Sequence, residues 1–455
     1  MSQPPRFGPA TATFLVVSSM IGTGVLTTSG FTVALVGSNQ LMLMLWVVGG
    51  ILAVCGALSL AELAAALPES GGDYVYLREA YGPLAGFLSG WVSFLIGFGG
   101  PIAASAAAAA KYLLAPVGLE RSVARPVELA LATAVIVGLA LVHSLGRRAT
   151  IRTQTGMTVV KLVILSCLAV TGLTAGAGRW GNLADRPPLS PGIVVAMASS
   201  LVYVSYAYTG WNAAAYVAGE VAEPQRRLPR AILVGTGIVT ALYLALNVTY
   251  ALALTAADVR GIVAQHGLDA VAPIAQLAAE RLFGRWIAGP LSVAVGVTLL
   301  ASVSAYVLTG PRVAAAMADA GQFPAAAGRV SAGGAPVVAT ALQAGWALVL
   351  LWTASFESIL LYAGVGLAIF SMLTVMAVVV LRVRQPDLPR PFRVPGYPVV
   401  PSVYLLGTGI LTAAVAWERP VVAAVSLATI AAGVPVAWIW SRVCIPPGVT
   451  DGGRV

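Results

Sequence analysis

The sequence predicts an all-α polytopic membrane protein of about twelve transmembrane helices, arranged as a five-plus-five inverted repeat with broken first and sixth helices. Three observations carry that expectation. Hydrophobic residues fill 58% of the 455 positions and charged residues only 9%, with a mean hydropathy of +0.89, whereas roughly a quarter of a soluble domain is charged. About twelve apolar runs are long enough to cross the hydrocarbon of a bilayer. The first and the sixth are each interrupted by glycine and polar residues, about 186 residues apart. Two broken spans, each opening a set of five, point to a transporter whose site lies near the midplane. An odd number of spans per set turns the second set upside down. Length alone would allow about three soluble domains. The apolar runs instead predict one domain over 1–455, with a first repeat at 9–178, an inverted second repeat at 190–382 and two additional helices at 400–441.

Taken in order, the runs have approximate cores at 11–36, 41–67, 84–114, 127–145, 153–177, 191–218, 229–256, 286–318, 335–354, 357–382, 400–417 and 419–441. The first contains Met20-Ile21-Gly22-Thr23-Gly24 near its middle. Unpaired peptide groups are costly in lipid, so non-helical backbone survives there only beside protein or a polar cavity. The glycines therefore mark either backbone turned toward a ligand or a notch for close helix packing. The third and eighth runs are long enough to tilt or project beyond the hydrocarbon. The fifth carries Lys161 nine residues after Arg152, about 13 Å farther along a helix. An unpaired lysine at that depth costs about 2.5–3.5 kcal/mol, so Lys161 should face the bundle interior. The sixth run is interrupted by Tyr206-Ala207-Tyr208-Thr209-Gly210-Trp211-Asn212. In the loop at 257–285, AVAPIAQLAAERLF has the pattern of a short amphipathic helix forming a lid. Barely a turn around Glu418-Arg419-Pro420 separates the last two runs, which predicts a tight hairpin.

The net charge is +9, and the basic residues cluster in short segments between apolar runs. With the N-terminus inside, sixteen of the 26 fall in inside segments and nine in outside segments, with Lys161 alone in a span. The positive-inside rule then places both termini in the cytoplasm of a multi-pass protein of the cell (inner/plasma) membrane. This distribution explains the basicity as a topology signal and an attraction to anionic lipid, not as nucleic-acid binding. Cys55, Cys167 and Cys444 form neither a disulfide framework nor a metal pair and are expected to be core thiols. The first run has no small-residue cleavage site and is expected to stay as the first span. Glu62, near the end of the second run, is expected to pair with loop arginines. His143 is expected to end a helix without ligating a metal, since no second ligand lies at metal-site spacing.

Several ordered motifs carry a resemblance. MIGTGVLTTSGF at the first break, LAELAAALPESGGDYVYLREAYGPLAGFLSGW at 60–91 and YAYTGWNAAAYVAGEVAEPQRRLPRAIL at 206–233 resemble signatures of the amino acid–polyamine–organocation (APC) transporter superfamily. GPRVAAAMADAGQFP at 310–324 and LRVRQPDLPRPFRVPGYPVVP at 381–401 continue the likeness in the same order. Within the superfamily the chain looks closest to amino acid permeases of the neutral-substrate type. The resemblance implies the five-plus-five fold with two extra helices and an amino acid substrate.

It also implies a site. The half-helix after the first break begins at Thr23 and Gly24, and its free amides and positive dipole end suit a carboxylate. By resemblance, an α-ammonium would meet main-chain carbonyls of Met20 or Ile21 and of Tyr206, Ala207 or Thr209. Motif alignment adds Ile96, Gly97 and Pro101 from the third span, Trp211 and Asn212 from the sixth and Tyr306 from the eighth. None of these positions is Asp or Glu, which favours neutral amino acids over arginine, lysine or polyamines. In similar transporters a fifth-helix lysine stands where sodium sits in sodium-coupled relatives. Lys161 is therefore expected to contact the Gly22 region and the Ser302–Ser304 segment, with sodium-independent transport driven by protons or by exchange. The implied partners are an amino acid and the lipid bilayer, with no nucleic acid, cofactor or metal, and a partner subunit stays unassigned. A cationic amino acid or polyamine transporter of the same fold is the alternative, and a transporter-like membrane sensor is the rival class. The chain carries no HExxH or GxSxG cluster for an enzyme and no ATP-binding loop for a pump.

Overall fold

The computed structural model describes residues 6–174, 177–185, 191–353 and 356–443; Cys444 lies outside them. Among the described residues the regular structure is helical, apart from one isolated bridge between Phe7 and Val221. The first span is split into α1 (Pro9–Met20) and α2 (Gly24–Val36), and the second is α3 (Asn39–Ala66). After the short α4 (Asp73–Tyr81), α5 (Pro83–Val92) and α6 (Gly99–Leu114) join through a π-helical turn at Ser93–Phe98 as the third span. The fourth and fifth are α7 (Arg121–Ser144) and α8 (Arg147–Thr174). The sixth is α9 (Pro191–Ala207), a non-helical stretch and a 3-10 segment at Ala213–Glu220. The seventh is α10 (Pro224–Ala253), and the loop after it holds α11 (Ala256–His266) and α12 (Ile274–Phe283). The chain then continues through α13 (Ala288–Asp319), α14 (Val337–Thr353), α15 (Phe356–Arg384), α16 (Val399–Glu418) and α17 (Pro420–Val443). Among the described residues ten segments are long and apolar enough to cross a membrane, and Gly192–Ala207 and Val337–Thr353 are shorter apolar helices. Together they account for the twelve runs.

Corresponding spans of the two sets of five pack on one another. α3 lies against α10, α6 against α13 and α2 against α9, while α16 and α17 pack from outside on α3, α15 and α5. The two breaks meet at this centre. Gly210 has φ +107°, a conformation that favours glycine, and a Cβ there would lie 2.7 Å from the Ser19 carbonyl. A Cβ on Gly24 would lie 2.5 Å from the Ala207 Cβ. Each break thus carries a glycine that lets the other approach.

The loop between α10 and α13 differs from the single expected helix. Its first helix opens with a reciprocal capping box between Thr255 and Asp258, which satisfies two amides that would otherwise be orphaned. Val271 and Ile274 are buried, and the Val271 carbonyl touches Gly30 of α2 so closely that a side chain has no room there. The loop packs on the half-helix after the first break. Glu62 takes the structural role expected of it. It accepts from Arg382 Nε at 2.8 Å, Arg382 Nη2 at 2.6 Å and Val394 N at 2.7 Å, pinning the segment after α15 to α3. Cys55 is buried as expected, whereas Cys167 stands on an exposed face of α8. A helix facing lipid is as apolar outside as inside, so an apolar neighbourhood did not imply burial.

Candidate functional site

The first break is a set of freed carbonyls, most of them already engaged. Lys161 on α8 is fully buried, and its Nζ donates to Ile21 O at 2.6 Å, Ser18 O at 3.1 Å and Ser302 Oγ at 2.7 Å. Ser302 on α13 also donates to Ile21 O at 2.7 Å. Met20 O accepts from Gly22 N at 2.9 Å and from Tyr243 Oη at 2.7 Å. A carbonyl offers two lone pairs, so Met20 O and Ile21 O are saturated. Tyr206 O likewise accepts twice from Thr209, through N at 3.0 Å and Oγ1 at 2.8 Å. Tyr243 Oη also lies 3.1 Å from Ala207 O, so the single phenolic proton is shared between carbonyls of the two breaks. Ser19 O accepts from Tyr306 Oη at 2.8 Å and keeps a second lone pair.

The amides tell the opposite story. α2 starts after Thr23, which makes no side-chain cap. Among the described residues no hydrogen bond leaves Thr23 N, Gly24 N or Val25 N. These are the orphan donors of a helix N-terminus, where the macrodipole favours negative charge.

A cavity of about 380 Å³ lies beside the breaks, inside the range of roughly 300–1,000 Å³ typical of small-molecule sites. Its lining includes Asn212 and Tyr216 as well as Leu268, Glu418 and Arg419. Glu418 and Arg419, at the turn between α16 and α17, are its only charged lining residues among those described. Of the residues named from the sequence, Gly97, Pro101, Tyr206, Thr209, Trp211, Asn212 and Tyr306 line it. Met20, Ile21, Thr23, Gly24, Ile96 and Ala207 do not. Ile96 is buried in the core cluster, and Gly24 and Ala207 pack directly on each other. A Cβ on Gly22 would lie 3.7 Å from the Tyr306 hydroxyl. Trp211 lines the cavity while its ring sits edge-on to Tyr404, centroids 5.8 Å apart. Sequence reasoning missed Ser19 and Ser205, which line the cavity with hydroxyls that find no partner. It also missed Tyr243, whose position in an otherwise continuous apolar helix gave no signal.

The end of the cavity away from Glu418 is closed by polar contacts. Asp73 of α4 accepts from Asn212 Nδ2 and Tyr216 Oη, each at 2.9 Å, and from Thr374 Oγ1 at 3.1 Å. Beyond it, Glu220 pairs with Arg147 at 2.6 Å and with Arg312 at 2.7 Å. His143 is not a free helix end: it is buried, with Nε2 2.9 Å from Ser304 Oγ and Nδ1 3.2 Å from Thr150 Oγ1. Ser304 in turn donates to Gln154, so the histidine ties α7 to α8 and α13. The charged loop that follows it in sequence hid this role.

Two broken helices meeting beside a neutral cavity and braced by a buried lysine form one arrangement with the sequence motifs, and a family model for amino acid permeases matches residues 7–444. The chain belongs to the amino acid permease family. Among its relatives is the human large neutral amino acids transporter small subunit 2, 30% identical over 95% of this permease and 80% of that protein. The serine/threonine exchanger SteT of Bacillus subtilis (strain 168) is 29% identical over 88% of the permease and 89% of its own length. The Asc-type amino acid transporter 1 of Mus musculus is 28% identical, over 95% and 81%.

Proposed function

We propose that this permease carries neutral L-amino acids across the cytoplasmic membrane by alternating access, with both termini cytoplasmic. The supporting observation is the cavity itself: around the breaks its wall is neutral, and its only charged lining among the described residues stands at the turn between α16 and α17. A cationic side chain would be left without an anion there. The unpaired amides at Thr23, Gly24 and Val25 do not line the cavity while Gly24 packs on Ala207, and they become the seat for the substrate carboxylate when the two breaks part. The ammonium meets Ser19 O and Thr209 at the cavity wall, because Met20 O, Ile21 O and Tyr206 O are saturated. Of the carbonyls the family pattern suggested, this keeps Thr209 and adds Ser19. Repeats at 9–178 and 190–382 rock about this point, with 400–441 outside them.

Lys161 supports sodium independence. Its ammonium takes Ser18 O, Ile21 O and Ser302 Oγ, oxygens a cation would need. Exchange is the favoured mode, since a relative over most of the chain is named an exchanger. Proteoliposomes preloaded with unlabelled amino acid should take up labelled neutral amino acids faster than empty ones, without sodium. Uptake of lysine, arginine or polyamine in preference to neutral substrates would overturn the reading, as would a requirement for sodium.

A further inference from the structure

Asn212 stands at the cavity floor with its side-chain nitrogen committed elsewhere. Nδ2 donates to Asp73 Oδ2 at 2.9 Å and to Tyr216 Oη at 3.2 Å, and among the described residues both hydrogen bonds of this side chain leave from Nδ2. The orientation has a cause. An ionised carboxylate only accepts, so an amide beside it must present its NH2. Tyr216 Oη and Thr374 Oγ1 hold the same carboxylate from other directions. Burial pushes the Asp73 carboxyl up, and the bonds from Tyr216, Asn212 and Thr374 oppose that push. With the nitrogen turned to Asp73, Oδ1 is the polar atom that Asn212 has left for the cavity it lines.

We propose that Asp73 is a positioning residue for substrate selection: it locks the Asn212 amide with its oxygen toward the cavity, creating a subsite for a neutral side chain that carries a hydrogen-bond donor, above all a hydroxyl. The proposal rests on the amino acid reading above and narrows its substrate class. A committed acceptor discriminates because an apolar isostere leaves it unpaired, whereas a purely apolar pocket separates such isosteres poorly. Asp73 comes from α4, Asn212 from the second break and Thr374 from α15. The subsite is therefore assembled only while these three parts are together at the closed end, which couples side-chain selection to that closure.

Threonine and valine share a shape and differ by hydroxyl against methyl, so their KM ratio in proteoliposome uptake isolates the subsite. In the wild type, the KM for threonine should lie about fivefold or more below that for valine, the worth of one neutral hydrogen bond. Asp73→Asn, whose amide can meet either face of Asn212, should raise the threonine KM to that of valine and leave the valine KM unchanged. Thr374→Val removes one of the bonds that hold Asp73 and should narrow the ratio less than Asp73→Asn does. If Asp73→Asn lowers kcat for both substrates with the ratio intact, Asp73 is merely structural and the proposal is overturned. Equal KM values in the wild type would overturn it without any variant and leave the amino acid reading standing. Uptake of neither substrate would overturn both.

Discussion

The two breaks occupy corresponding places in the two sets of spans and do different work. In the first, nearly every freed carbonyl is taken by the protein itself: Lys161 and Ser302 hold Ile21, Tyr243 holds Met20 and Tyr306 holds Ser19. What it leaves open is a row of amides. The second break contributes Tyr206, Thr209, Gly210, Trp211 and Asn212 directly to the cavity wall. One break keeps unpaired amides outside the cavity wall, and the other supplies much of that wall. A pseudo-symmetric fold thus yields an asymmetric site, because the side chains packed behind each break differ.

The largest effect expected from disturbing this contrast comes from Lys161→Met. It strips the first break of its brace and leaves buried acceptors at Ser18 and Ile21, each at about 1–3 kcal/mol. Uptake should fall to background and thermal unfolding of the purified protein should shift several degrees down; wild-type uptake would reduce the lysine to a bystander. Glu220→Gln comes next, at about 3–5 kcal/mol for breaking a buried pair, since it frees Arg147 and Arg312 below the second break. Thermal unfolding of the purified variant should begin several degrees below the wild type, and an unchanged unfolding temperature would show that the pair adds nothing to stability.

Gly24→Val drives a side chain into Ala207 at the point where the breaks touch. Overpacking of this kind costs about 1–3 kcal/mol. Substrate binding should vanish while the protein still inserts, which a binding assay on solubilised protein will register. The smallest effect belongs to Tyr243→Phe, which cuts the one bridge between Met20 O and Ala207 O at about 0.5–1.5 kcal/mol. A modest rise in KM with little loss of stability is the expected outcome. A collapse of uptake would show that the two breaks act as one unit.

The fold was legible because its signals are local. Apolar runs, glycines at the breaks and the Glu418-Arg419-Pro420 turn each act on their own neighbourhood in the chain. Lys161 was legible too, since a lysine in hydrocarbon must find oxygen atoms within the protein. The occupancy of the carbonyls was not, because it depends on side chains from α10 and α13 hundreds of residues away. Asp73 was hidden for the same reason. It sits in a loop motif and meets Asn212, Tyr216 and Thr374 only when α4, α15 and the second break come together. Gly24 shows a subtler limit. Its sequence context allowed an anion seat or a packing notch, and in the fold it offers a free amide while its α-carbon packs on Ala207.

The central claim is that the paired breaks read both charged ends of an amino acid with a neutral side chain. Ligand-induced stabilisation of the purified permease tests it most directly, because a ligand that binds only the folded state raises its apparent stability, by about 2.7 kcal/mol at a hundredfold excess over Kd. A neutral L-amino acid should stabilise the protein, while its methyl ester, which lacks the carboxylate, and its decarboxylated amine should not. Equal stabilisation by the amine or by a polyamine would contradict the account.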